Sequence, residues 1–176
     1  MRKANVQLAA DRRSEILAAA QRCFVRSGFH GASMQDICAE AGMSPGNLYR
    51  YFPSKEAIIA GISERDRAEV FGQLASAGVA PDFLGALEGL ARHHFAGRTD
   101  EEVGLCTEIM AESRRNPDVA RIFRSFDGDV KLRLAEMIRA AGARGEVATD
   151  IDVEAVVSML ITIADGVWWR RAIDPD

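Results

Sequence analysis

Ser44-Pro45-Gly46-Asn47-Leu48-Tyr49-Arg50-Tyr51-Phe52-Pro53-Ser54-Lys55 is the stretch on which the fold turns. Ser44 stands where an N-cap accepts free amides, and Pro45 suits the first helical position because its missing N–H is not needed there. Leu48 and Phe52, four residues apart, mark one apolar face, and Pro53 ends the element. Just upstream lies Ser33-Met34-Gln35-Asp36-Ile37-Cys38-Ala39-Glu40-Ala41-Gly42-Met43. Ser33 can cap this second segment by bonding the amide of Asp36, Ile37 and Ala41 point inward, and Gly42 gives backbone freedom for a sharp turn. Helix, tight turn, helix is the form of a module that lays its second helix in the DNA major groove.

Outward from this pair the pattern stays helical. From Asp11 to Ser27 the apolar residues Ile16, Leu17, Ala20, Phe24 and Val25 recur every three or four positions, and Gly28 is a C-terminal stop. Residues 1–10 read as a mobile arm with Arg2 and Lys3. Beyond Ser54 a long helix is expected from Lys55 to about Ala77. Its apolar patches (Ile58, Ile59, Ile62, then Phe71, Leu74) flank Glu64-Arg65-Asp66-Arg67, so it bridges two cores with its middle in water. Gly78 and Pro81 separate it from a helix with the inner stripe Phe83, Leu84, Leu87, Leu90, Ala91, His94 and Phe95. Thr99 and Glu102 form a capping box for the next, which carries Val103, Cys106, Ile109 and Met110. Asn116 and Pro117 open another long helix, broken at Gly142 and Gly145. Asp152 caps a last one, Val153 to about Arg171, apolar around most of its circumference and therefore buried on several faces. With no alternating strand pattern, the fold class is all-α: a three-helix helix-turn-helix domain over 1–54 and a helical bundle over 55–176.

Composition agrees. The chain has 176 residues, 48% of them apolar, enough to bury a core. No apolar run reaches the ~18 residues of a membrane span, and no apolar segment marks a signal peptide. Cys23, Cys38 and Cys106 are odd in number and widely spaced, as in the buried thiols of a cytoplasmic protein. The formal net charge of −4 is unevenly placed: residues 1–55 hold eight cations and four anions, the remainder 14 and 22. A basic head on an acidic body suits a protein that meets phosphate at one end. His93-His94 lacks metal-ligand spacing, since neighbouring helix residues point about 100° apart. There is no phosphate loop, nucleophile elbow or metal cluster, so no enzyme, cofactor or metal is expected.

The segment Asp11–Lys55 resembles the DNA-binding domain of the tetracycline-repressor (TetR/AcrR) family. The matching residues are Gly28-Phe29-His30-Gly31, Ser33, Ile37, Ala41-Gly42-Met43-Ser44, Leu48-Tyr49-Arg50-Tyr51-Phe52 and Lys55-Glu56. They cover the first third of the chain; the rest agrees with the family in length and helix order, with a faint likeness to its BetI/AcrR-type branch. The chain stops soon after the last helix, at Ile173-Asp174-Pro175-Asp176. Family members often continue, so a shortened C-terminus is one reading of this end.

The residues themselves suggest roles. Gly46 and Asn47 let the backbone approach the groove, and Asn47 can bond a base edge or a phosphate. Tyr49 and Tyr51 carry hydroxyls suited to phosphate oxygens, although one of the rings is expected to pack inward. Arg50 can pair with guanine or neutralise phosphate. Lys55, at a helix start, can reach a phosphate. Ser33, Gln35, Ser44 and Pro45 complete the contact set, the two serines being caps first. In the body, Phe83, Leu87, His94, Met110, Phe123, Phe126, Asp165 and Trp168 are candidate ligand contacts. Asp165, near Ile161, Ala164, Trp168 and Trp169, admits two readings: a satisfied structural carboxylate, or one facing a cavity and recognising a cationic or hydroxylated ligand.

The resemblance implies a transcriptional repressor that dimerises through its last two helices and binds a palindromic operator in double-stranded DNA. A small-molecule inducer would release it, the helix from Lys55 swinging the heads out of register. The other reading keeps the fold but replaces the inducer by a protein partner. No membrane partner is expected.

Overall fold

The structure, a computed structural model, describes residues 2–80 and 82–174, with side chains from residue 7. Pro81, Pro175, Asp176 and the side chains of Arg2 and Lys3 therefore lie outside the described residues. Eight helices and no strand occur among those described: α1 (Arg2–Gly31), α2 (Met34–Glu40), α3 (Pro45–Tyr51), α4 (Lys55–Gly78), α5 (Phe83–Ala96), α6 (Asp100–Glu112), α7 (Pro117–Ala143) and α8 (Val153–Ile173).

Helix starts fall where the cap chemistry places them. Ser33 and Asp36 form a reciprocal capping box, as do Thr99 and Glu102, and Ser54, Asp82, Asn116 and Asp152 each accept amides of the following turn. Ser44 is the exception: it sits at the N-cap of α3 with no side-chain cap bond, so its hydroxyl is unengaged there. Gly42 turns at φ 62. The expected arm is helix instead, since α1 begins at Arg2 and runs into the amphipathic segment. Gly28 does break it, at φ 70 and ψ 166, and one further turn follows to Gly31.

Two cores form, and α4 joins them. The first holds Ile16, Leu17, Phe24, Ile37, Leu48 and Phe52 of the head, Ile58, Ile59 and Ile62 of α4, and also Leu105 of α6 and Val119 of α7. The second holds Leu74, Phe83, Leu134, Met137, Ile138 and Val157. Gly61 lets α4 lie close on the head: a Cβ there would stand 2.9 Å from Phe52 and 3.0 Å from Leu17. The charged middle of α4 is less exposed than its sequence suggests. Arg67 pairs with Asp129 and donates to Ser125 of α7, while Arg65 donates to Gln21 of α1 at 2.9 Å. Val25 and Leu84, expected inward, are exposed. Helix α8 buries only one side, Val157 and Trp168; Met159, Ile163 and Trp169 are each more than half exposed. Its several apolar faces are thus not all covered by its own chain.

Candidate nucleic-acid interface and body cavity

The short helix α3 is held from beneath and bare above. Leu48 is 0% and Phe52 1% exposed, both within the first core. Gln35, Ser44, Pro45, Gly46, Tyr49 and Arg50 are exposed, and Asn47 is half-buried. Tyr49 is 51% exposed, whereas Tyr51 packs against the core, so one ring serves the fold as expected. A Cβ on Gly46 would meet nothing within 4 Å, so nothing inside the fold demands glycine there.

Most head cations are already occupied. Arg22 donates to Glu40 at 2.7 Å and Arg26 at 3.3 Å; the hydrogen bond from Arg22 is the main cause holding the Glu40 carboxyl below its ordinary range. Glu40 would otherwise oppose the negative C-terminal end of α2, so these pairs also fasten α2 to α1. Arg12 pairs with Glu15, and Arg13 lies over the Phe52 ring at 4.5 Å. Ser33 donates its hydroxyl to Asp36 at 2.6 Å, which keeps that carboxyl low. Among the described side chains of residues 7–55, Arg50 is the cation with no ion pair or hydrogen bond. Lys55, expected on a phosphate, donates to the carbonyls of Phe29 and Ala32 and sits 4.4 Å above the Phe29 ring. Two of its three donors are thereby committed to tying α4 to the α1–α2 link, leaving one N–H for any anion.

A joint connects this head to α6. Glu108 accepts the Phe29 N–H at 2.9 Å, immediately after the Gly28 break. His30 Nε2 lies 2.8 Å from Glu112, a carboxylate only 1% exposed that Arg115 also reaches at 3.4 Å. Asn116 donates to Glu56 at 3.1 Å, adding a tie between the start of α7 and the start of α4. A second tie, unforeseen in the sequence, is Arg171 of α8, which donates to the carbonyls of Phe95 and Arg98 and to Asp100.

The opposite side of α6 faces a cavity of about 520 Å³ between α4, α5, α6, α7 and α8. Of the predicted ligand contacts, Leu87, His94, Met110, Phe123, Phe126, Asp165 and Trp168 line it. Phe83 does not: its ring belongs to the second core, and its N–H donates to Glu146 at 2.6 Å. Cys106, read from the sequence only as a buried thiol on the apolar stripe of its helix, and Asp127, which the pattern did not single out, also line the cavity. His94 accepts the Trp168 indole N–H at 2.7 Å, and burial pushes its pKa down to about 4. It is therefore a neutral imidazole at pH 7 with its Nε2 engaged by the indole, while the neighbouring His93 turns away to Glu69 at 3.0 Å. Burial pushes the Cys106 thiol up to about 12. Asp165 lines the cavity while still open to solvent, and among the described residues it makes no hydrogen bond. Burial, reinforced by the Asp127 charge, raises its pKa, and Lys131 opposes that rise.

Comparison with known proteins adds the remaining findings. Residues 16–62 match the bacterial regulatory proteins of the tetR family, and residues 86–176 match the C-terminal part of BetI-type transcriptional repressors. The chain is 33% identical to the HTH-type transcriptional regulator UidR of Escherichia coli strain K12, over 88% of this chain and 79% of that protein. It is 28% identical to the HTH-type transcriptional repressor AcnR of Corynebacterium efficiens, over 91% and 81%. Among solved structures, Salmonella enterica GusR superposes with a TM-score of 0.84 at 32% identity, covering 93% of this chain and 86% of that one.

Proposed function

This chain belongs to the tetR family of bacterial regulatory proteins, and on that premise we propose that it is a dimeric transcriptional repressor released from a palindromic operator by a small molecule bound in the body cavity. A role on operator DNA would put its action in the cytoplasm. Among the described residues no helix is long and apolar enough to cross a membrane. Two copies associate through α7 and α8, burying the Met159, Ile163 and Trp169 face that one chain leaves open. The paired α3 helices then enter successive major grooves about 34 Å apart. Gln35, Ser44, Asn47, Tyr49 and Arg50 make the contacts, with Gly46 admitting the backbone. Tyr51, Ser33 and Lys55 chiefly hold the reading helix in position, and Pro45 starts it.

The observation that carries the regulatory part is the double duty of α6. Cys106 and Met110 look into the cavity while Glu108 and Glu112, on the same helix, grip Phe29 and His30 at the end of α1. A ligand that shifts α6 moves the grip, and with it the head; its differential affinity for the two arrangements sets the coupling. The test is a selection of bound duplexes from random DNA, then titration of the chosen duplex. The reading expects a palindrome, affinity that falls steeply with salt, and loss of binding for Tyr49→Phe combined with Arg50→Ala in an intact dimer. Failure to enrich any duplex refutes it.

A further inference from the structure

The cavity has a chemical preference of its own. Resting on the reading of this space as the effector site, we propose that its ligand is an organic monocation with an apolar, aromatic-compatible body, its positive head seated between Asp165 and Asp127. The volume of about 520 Å³ is that of a drug-sized site. Leu87, Leu90, Met110, Phe123, Phe126 and Trp168 line most of it, so the bulk of the ligand must be apolar.

Charge decides the rest. The ionisable lining residues are Glu88, Asp127, Asp165, His94 and Cys106; no Arg or Lys lines the cavity among the described residues. Glu88 is answered by Arg92 on the outer side of α5, at 2.5 Å. Asp127 accepts from Lys131 at 2.7 Å, and this same ammonium is the cation that acts on Asp165. Two carboxylates therefore share one positive charge, which leaves one negative charge unanswered. His94 supplies nothing, because it is neutral and its Nε2 is occupied by Trp168. Nor does the Cys106 thiol, which stays protonated.

A neutral apolar ligand filling this space strips water from Asp165 and gives it no partner, which is unfavourable. An anion adds repulsion to that loss. A cation supplies the missing charge, and the aromatic rings of Phe95, Phe123, Phe126 and Trp168 attract positive charge through their π faces. Desolvation and the Asp127 charge push the Asp165 pKa up, and a cation seated beside the two carboxylates would oppose that rise. When a second copy covers α8, less water remains beside Asp165 and the preference sharpens.

The experiment uses the full-length dimer and three probes of one shape: 4-phenylbutyltrimethylammonium, its neutral tert-butyl analogue and 5-phenylpentanoate. Binding is measured by calorimetry, and operator release separately by fluorescence anisotropy. The cation should bind at least about tenfold more tightly than the neutral analogue. Asp165→Asn, and independently Asp127→Asn, should collapse that ratio toward one while leaving the neutral analogue's affinity nearly unchanged. If one variant fails to fold, the other and the wild-type ratio still decide. Equal or tighter binding of the neutral or anionic probe, a ratio unmoved in a folded variant, or binding by none of the three overturns the inference. Cation binding with no effect on the operator would leave the charge preference standing and defeat the effector reading; release by the neutral or anionic probe would do the reverse.

Discussion

Replacing Gly28 by alanine tests the joint between head and body, because two independent demands meet at that residue. Its φ of 70 and ψ of 166 lie in a region open essentially to glycine alone, which costs an alanine about 1–3 kcal/mol. The new Cβ would also stand 2.9 Å from Glu108 Oε1. That oxygen is the far end of a flexible side chain and can retreat, but it is also the acceptor of the Phe29 N–H. Retreat therefore forfeits a hydrogen bond to a charged group, worth about 1.5–3 kcal/mol. The combined loss is about 2.5–6 kcal/mol, a large part of the roughly 5–15 kcal/mol that holds a domain together. For a chain of this length it lowers the Tm by about 10 °C. Circular dichroism melts at fixed protomer concentration measure it, since dimerisation makes Tm concentration-dependent. In a Glu108→Ala background the obstacle and the bond are both gone, so the second substitution should add less, by about 1.5–3 kcal/mol. A Gly28→Ala protein within 1 kcal/mol of wild type, or strictly additive changes, would refute the argument.

Four other outcomes are expected. Gly46→Ala should raise stability by up to about 1 kcal/mol through helix propensity while weakening operator binding, as read by melting and anisotropy; unchanged operator binding would remove Gly46 from the interface. Arg50→Ala should weaken binding by about tenfold or more, with a shallower salt dependence if its partner is a phosphate; wild-type affinity would leave the contact to its neighbours. His94 has its folded pKa at about 4, below the ordinary 6.5, so as pH falls the unfolded chain takes up its proton first. The stability it supports is complete above pH 6.5 and drains toward pH 4, and Tm in His94→Gln should fall less over that interval; parallel curves would contradict the assignment. Ile163→Arg should convert the dimer to monomers by light scattering, because it puts a charge in the middle of the exposed α8 face.

Local chemistry made the fold legible. Ser33, Thr99, Asn116 and Asp152 announce helix starts through bonds that span two or three residues, and these the chain displays directly. Leu48 and Phe52 were readable as inward-facing because helical period alone fixes their side. What escaped depends on neighbours far along the chain. Lys55 has the look of a phosphate ligand until the Phe29 and Ala32 carbonyls, more than twenty residues away, are set beside it. The basic excess of the head was countable, but that Glu40 pairs with both Arg22 and Arg26 emerges only once α2 packs on α1. Phe83 and Phe123 are equivalent in pattern, and only the packing of α5 and α7 against α4 sends one to the core and the other to the cavity. Glu108 and Glu112 are two acids on one helical face, ordinary in sequence, whose partners come from α1.

Leu105 and Val119 sit in the same apolar cluster as Leu48 and Phe52. The consequence reaches anyone who would graft this head onto another body to redirect its target. A cut after residue 54 would strip Ile58, Ile59 and Ile62 from the cluster along with those two side chains, and leave the transplanted reader partly unpacked. A working chimaera would have to carry the matching edges of α4, α6 and α7, whereas altering the bare upper side of α3 in place would leave that seam untouched.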